Sequence, residues 1–406
     1  MAGPLSHIKV LDLSRILAGP WSGQVLADLG ADVVKVERPQ VGDDTRSWGP
    51  PFLKDGAGND TKESGYYLSA NRGKRSVTVD LNTEEGQQIV RALAAQSDIL
   101  IENYKVGTLA RYGLDYASLK ESNPGLIYCS VTGFGQDGPK AENAAYDFMI
   151  QAMGGLMSVT GERDDLPGGG PQKVGVPIVD LMTGMYTSVA VLAALARRTE
   201  TGLGDYIDIG MLDVMVGSVA NQGMNYLVSG KTPGRNGNKH PNIQPQDVFA
   251  CADGHIVLVV GNDPQFARFC DVAGRPEWVA DERFATNGNR VRNRDVLLPM
   301  MVELFRSRPM GEWARQLDEA GVPCSPINTI PQVFEDEQVR HRKMLINLPH
   351  PAAGSVPQIR NPMRFTNAEL AFDRAPPLLG QHTNEVLSGL GFDDECIARW
   401  ARDGVI

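Results

Sequence analysis

Nothing in the spacing of cysteine and histidine along this chain of 406 residues suggests a metal site or a disulfide framework. The five cysteines (Cys129, Cys251, Cys270, Cys324 and Cys396) form no CxxC pair, and their count is odd. They read as reduced, mostly buried thiols. The N-terminus has neither an apolar signal-type segment nor an Arg-rich transit segment, and the apolar runs fall well short of a membrane span of ~20 residues. Cytoplasm is the expected location. An excess of positive charge is missing as well: 39 Lys and Arg stand against 49 Asp and Glu, a net charge of −10. That balance argues against non-specific binding to nucleic acid or an anionic membrane. It leaves room for a small polyanion held by a local basic strip. No repeat of fixed period is visible. No GxGxxG follows the first strand, where the turn reads Ser14-Arg-Ile-Leu-Ala-Gly-Pro20, which counts against a dinucleotide oxidoreductase.

What is present points to an α/β enzyme. The length suits two domains or one large elaborated one, and 44 glycines with 26 prolines supply many turns. Ile8–Leu13, a helix near Trp21–Leu29 and Asp32–Glu37 make a strand–helix–strand unit, the mark of a parallel sheet. Further strands are expected at Ser76–Asp80, Asp98–Glu102, Gly125–Val131 and Tyr206–Gly210. Asn82 with Glu85 is a plausible cap for a helix running to Gln96, and Leu212–Leu227 reads as another helix. The polar loop Ser229–Asn242 marks a boundary. The expected fold is thus a Rossmann-like parallel-sheet large domain over 1–227, completed by 331–406, plus a smaller α+β domain over 228–330. A hairpin is expected around Asp253-Gly254 in the small domain, with helices near Asp263–Ala273 and Arg294–Phe305. Pro-rich linkers are expected around Pro349–Pro362 and Arg374–Leu378.

The segment Val174–Tyr186 places one carboxylate, Asp180, after an apolar run and at the mouth of a helix expected over Leu181–Arg198. The positive end of the helix dipole and its unpaired N–H groups should keep that carboxylate ionised. An ionised carboxylate can attack an activated acyl group. Asp is also a favoured helix N-cap, and this stretch alone leaves both roles open.

From Val10-Leu-Asp-Leu13 and Leu17-Ala-Gly-Pro20 onward, the chain resembles the family III CoA-transferases, a group that includes formyl-CoA transferase, carnitine CoA-transferase and the α-methylacyl-CoA racemases. The resemblance continues through Leu29–Pro39, Gly42–Arg46, Asn71–Ser76, Asp98–Tyr104, Tyr146-Asp147, Gly155–Gly161, the Asp180 segment and Leu378–Thr383. It implies that Asp180 is the nucleophile. It also implies a CoA thioester as substrate, no tightly bound cofactor, and an interlocked homodimer. The basic residues Arg38, Arg72, Lys74, Arg75 and Arg111 fall where the resemblance puts the nucleotide end of CoA, as do Asn103 and Tyr104. Arg15, Leu17 and Ala18 are expected to border the thioester. Racemases of the family carry a His where this chain has Tyr146, and Tyr is a poor acid/base near neutral pH. Tyr146 therefore favours transfer over racemisation and is expected near the CoA thiol. Formyl-CoA transferase has Gln at the position of Leu17, which counts against formate or oxalate. The loop Gly237–Pro245 and the segment Gly42–Phe52 make the chain look most like the dicarboxylate members, typified by succinyl-CoA:glutarate CoA-transferases. His240 and Asn242 are the candidates for binding the acceptor's second carboxylate. The rival readings are a racemase or epimerase and a non-catalytic acyl-CoA-binding protein.

Overall fold

The computed structural model describes residues 3–406. They divide into two compact units. The first gathers the chain up to Gly155, Val174–Gly223 and Arg340–Ile406; the second holds Leu156–Lys173 and Met224–Val339.

The first unit contains β1 (Lys9–Asp12), β2 (Asp32–Glu37), the short hairpin β3 (Phe52–Lys54) and β4 (Asp60–Ser64), then β5 (Lys74–Thr78), β6 (Ile99–Glu102), β7 (Ile127–Thr132) and β8 (Asp205–Gly210). Six of these form one parallel sheet in the order β5-β2-β1-β6-β7-β8. The central strands β1, β6 and β7 are apolar through their middles, as strands covered on both faces are, whereas β2, β5 and β8 carry charged residues. Val10, Val33, Ile99, Ile101 and Ile127 pack under one face and Leu11, Val34, Val77, Leu100 and Tyr128 under the other. The end of the chain completes this unit: Ile397, Trp400 and Val405 join the second core, and Asp80 N donates to Val405 O at 2.7 Å.

The second unit carries the antiparallel sheet β9 (Gln246–Ala250), β10 (His255–Val259) and β11 (Cys324–Pro326), in the order β11-β10-β9. Helices including Asp263–Val272 and Arg294–Phe305 pack an aromatic core of Phe249, Phe266, Phe269, Phe305 and Trp313 against it.

Four local expectations are corrected. Residues 349–362 are no linker: β12 (Leu345–His350) and β13 (Gly354–Ile359) pair antiparallel. A two-stranded sheet has only edges, so Pro349 and Pro357 can sit where their missing N–H is not needed. The helix expected over 212–227 is two, Met211–Ser218 and Ala220–Ser229, broken where Ala220 adopts φ 42°. The helix after β5 is capped by Thr83, whose hydroxyl accepts from Gly86 N at 3.1 Å, while Asn82 turns back to Asp80. The long helix runs Ile178–Thr201 rather than 181–198, so Asp180 lies inside its first turn. By length and composition that helix is long and apolar enough to cross a membrane. Here it packs on the first helix, Ala18–Asp28, with Val191 fully buried in the core beneath the sheet.

Candidate active site

The strand order reverses between β1 and β6, and open parallel sheets bind ligands outside the carboxyl ends of strands at such a switch point. The turn after β1 and the segment Asn103–Val106 after β6 both line a cleft of about 470 Å³ there. Arg15, Leu17, Ala18, Asn103, Tyr104, Tyr146 and Asp180 all face it, together with Asp44, Trp48, Lys105, Glu142 and Asp147.

The turn is held in a costly shape. Ile16, β-branched, sits at φ 73°, a region that L-residues avoid and that persists only where surroundings enforce it. Asn103 clamps its neighbour, accepting from Arg15 N at 3.0 Å and donating to Arg15 O at 2.7 Å. The Asp43 carboxylate accepts from Ile16 N at 3.2 Å and is itself paired with buried Lys35 at 2.9 Å. Lys35 also donates to Ser14 O at 2.7 Å. Below, Lys74 pairs with Asp12 at 2.8 Å and donates to Pro20 O and Asn71. Burial alone would raise the Asp12 and Asp43 carboxyls. The lysines outweigh it and hold both below the usual carboxylate range.

Asp180 behaves differently. Only 8% exposed, its carboxyl is pushed up to about 7, first by burial and then by the nearby charge of Asp147. This corrects the expectation that the helix terminus keeps it fully ionised. The N-cap position is Pro177, which offers no side-chain acceptor, and Asp180 does not cap the helix either. Asp147 does so from outside: its Oδ1 accepts from Val179 N at 2.7 Å and Asp180 N at 3.2 Å. The helix N–H groups that were to stabilise Asp180 are spent on another anion.

A second cavity, of about 220 Å³, shares Arg15, Asp44 and Tyr104 with the first and is lined by Arg38, Asp80, Asn82 and Tyr112. The structure does not bring Arg72, Arg75, Lys74 or Arg111 to either cavity. Arg72 is buried, with its guanidinium on Asp28 (2.7 Å), Gln358 and Ile359 O. Arg75 is spent on Asp32 and Glu385, and Lys74 on Asp12. Arg111 is exposed and reaches Thr108 Oγ1. His240 and Asn242 lie in the second unit, where His240 Nδ1 accepts from Asn242 N and Ile243 N, each at 3.1 Å. Asn242 Oδ1 accepts from Asn225 Nδ2.

Asp147, Asp44 and Lys105 were not singled out from the sequence. Asp147 stands beside Tyr146 in a motif that was noticed, yet nothing local ties it to a helix that starts 31 residues later. Among the described residues no group of three or more His, Cys, Asp or Glu is placed to hold a metal ion.

Residues 5–383 match CoA-transferase family III, and the chain belongs to that family. It is 46% identical to a succinate–glutarate CoA-transferase of Agrobacterium fabrum over 392 residues, 95% of this chain and 96% of the relative. It is 40% identical to the human succinyl-CoA:glutarate CoA-transferase, covering 99% of this chain and 90% of that one. The crystal structure of a CaiB/BaiF family protein from Brucella suis superposes with a TM-score of 0.84 at 49% identity, covering 96% of this chain and all of that one.

Proposed function

We propose that this family III CoA-transferase moves CoA from an acyl-CoA donor such as succinyl-CoA to a dicarboxylic acid, with Asp180 as the covalent nucleophile. The observation that carries the reading is a buried carboxylate in a cleft at the switch point of the sheet. The names of the relatives at 46% and 40% identity support a dicarboxylate acceptor.

Ionised Asp180 attacks the thioester carbonyl carbon, and the C–S bond breaks to release CoA thiolate and leave a mixed anhydride. The thiolate attacks the aspartyl carbonyl, forming an aspartyl-CoA thioester and freeing the donor acid. The acceptor carboxylate then attacks that thioester, again expelling thiolate, and the thiolate takes the acceptor's acyl group, restoring Asp180. No bond is hydrolysed, so water must be kept from the anhydride, which suits a cleft where Asp180 is nearly buried. Arg15 and Lys105 are the cations on the cleft, among the carboxylates of Asp44, Glu142, Asp147 and Asp180, and Arg38 lines the adjoining cavity; these three are the candidate contacts for a polyanionic substrate. His240 and Asn242 enter as candidate contacts for the second carboxylate. With Nδ1 accepting two backbone N–H groups, neutral His240 has its proton on Nε2, a donor.

The resemblance also implies two interlocked chains. Met185, Tyr186 and Val189, exposed on the long helix, are apolar surface for a second chain to cover, and sedimentation of the purified protein tests this. The central test is Asp180→Ala. Transfer from succinyl-CoA to glutarate should be lost while the protein stays folded, and hydroxylamine added with acyl-CoA should modify Asp180 in the wild type. Retained turnover would overturn the covalent reading.

A further inference from the structure

We infer that Asp147 is a positioning residue for the transfer reaction: its carboxylate is the N-terminal cap of the helix that carries Asp180 and, as a like charge beside it, favours the acylated over the free nucleophile. The inference rests on the reading of Asp180 as the covalent nucleophile.

The long helix begins Pro177-Ile-Val-Asp180 with no capping side chain of its own, so its first N–H groups need outside acceptors. Ile178 N finds Val176 O at 2.8 Å, and Asp147 Oδ1 takes the next two. The other oxygen of Asp147 accepts from Gln151 Nε2 at 2.6 Å. Gln151, wholly buried, receives Val174 N on its Oε1 at 2.9 Å. Asp147 is therefore fixed from two sides, and it fixes the backbone N–H of the nucleophile itself. These donors are neutral, so they orient the negative charge of Asp147 without cancelling it.

That charge acts on the chemistry. A free Asp180 carboxylate, itself buried, meets the like charge of Asp147, whereas an acylated Asp180, as anhydride or thioester, is neutral. Asp147 therefore raises the free carboxylate relative to both covalent intermediates. It also increases the basicity of the attacking oxygen. The cost is a larger protonated fraction near neutral pH, in keeping with the upward shift that burial and Asp147 impose. Other ionisable groups face the same pair: Arg15, Asp44, Lys105, Glu142 and Tyr146 line the cleft, with Arg15 paired to Asp44 at 3.0 Å. Tyr66 lies close enough that both carboxylates push its hydroxyl up, after burial, to about 12. Arg15 and Lys105 remain when Asp147 is neutralised, so the comparison isolates one charge.

The test is Asp147→Asn, which keeps an acceptor oxygen for the helix and loses the charge. It is compared with Asp147→Ala, which loses both, using succinyl-CoA and glutarate as substrates. The acid limb of kcat/KM should move down by about one pH unit in the Asn variant. Hydroxylamine trapping of Asp180 at steady state should fall at least threefold, with KM little changed. The Ala variant should show the same limb shift and a further loss in kcat of roughly tenfold. Should the Asn variant not fold, Asp147→Ser supplies an uncharged oxygen for the same comparison. An unmoved acid limb and undiminished trapping in a folded variant, beside an inert Asp180→Ala, overturn the role of Asp147 alone. Retained turnover in Asp180→Ala overturns the nucleophile reading and this inference with it.

Discussion

Gly184 is one of the residues at which the long helix and the first helix meet, and replacing it with Ala separates local propensity from tertiary fit. A Cβ there would stand 2.6 Å from Ala18 O and 3.0 Å from both Cβ and Cδ1 of Trp21. Trp21 can give slightly; a helix carbonyl cannot move without its helix. Restoring ordinary contact at 3.4 Å would move the helices apart by roughly 0.8 Å. Ala is worth about 1 kcal/mol over Gly inside a helix, while overpacking of this kind costs about 1–3 kcal/mol. The net expectation is anything from no change to a loss of about 2 kcal/mol. Function should suffer more than stability. Asp180 lies one turn before Gly184, and Ala18 lines the same cleft, so the displacement falls between the nucleophile and the wall that positions the thioester. Misplacement on this scale costs up to about a hundredfold in rate. Urea denaturation paired with initial-rate transfer from succinyl-CoA to glutarate reads both quantities. An Ala variant about 1 kcal/mol more stable with unchanged kcat would refute the argument, since the contact would then position nothing.

Lys35→Met should cost about 3–5 kcal/mol by urea denaturation, because Asp43 loses its buried partner and Asp12 a nearby cation; a loss under about 1 kcal/mol would mean that water reaches the network. The Asp180 carboxyl is raised in the folded chain to about 7 from 3.8, so folding should weaken as pH rises between those values and stay weakened above them. Asp180→Asn should accordingly match wild type near pH 4 and exceed it at pH 8 by up to about 4 kcal/mol, and equal stabilities at both pH values would contradict the shift. His240→Ala should raise KM for glutarate roughly ten- to a hundredfold and for a monocarboxylate of similar length much less; equal losses would show that His240 does not recognise the second carboxylate. With Tyr146 rather than His in the cleft, a 2-methylacyl-CoA in deuterated water should gain no deuterium at its α-carbon, and incorporation at turnover rates would revive the racemase reading.

Asp32–Glu37 could be read to the residue because its three valines, Val33, Val34 and Val36, favour a strand, and that signal is local. The Asp180 segment was legible for the same reason, an apolar stretch around a single carboxylate, and the ordered motifs from Val10 to Thr383 pointed to the family that the comparisons establish. The state of that carboxylate was not legible. It depends first on burial and then on the charge of Asp147, which arrives from 33 residues away to take the helix N–H groups, and no local pattern records either. Arg72, Lys74 and Arg38 are alike as letters, each a cation near a strand. Only the packing buries Arg72 on Asp28 and Lys74 on Asp12, leaving Arg38 to line a cavity. Asn103 likewise follows a strand as any turn residue does, and its clamp on Arg15 exists because β6 lies beside β1 in the sheet. Backbone preference and apolar burial are set by near neighbours and so are written in sequence order. The fate of a charge is set by which distant group desolvates or pairs it, and that is decided only when the strands take their places.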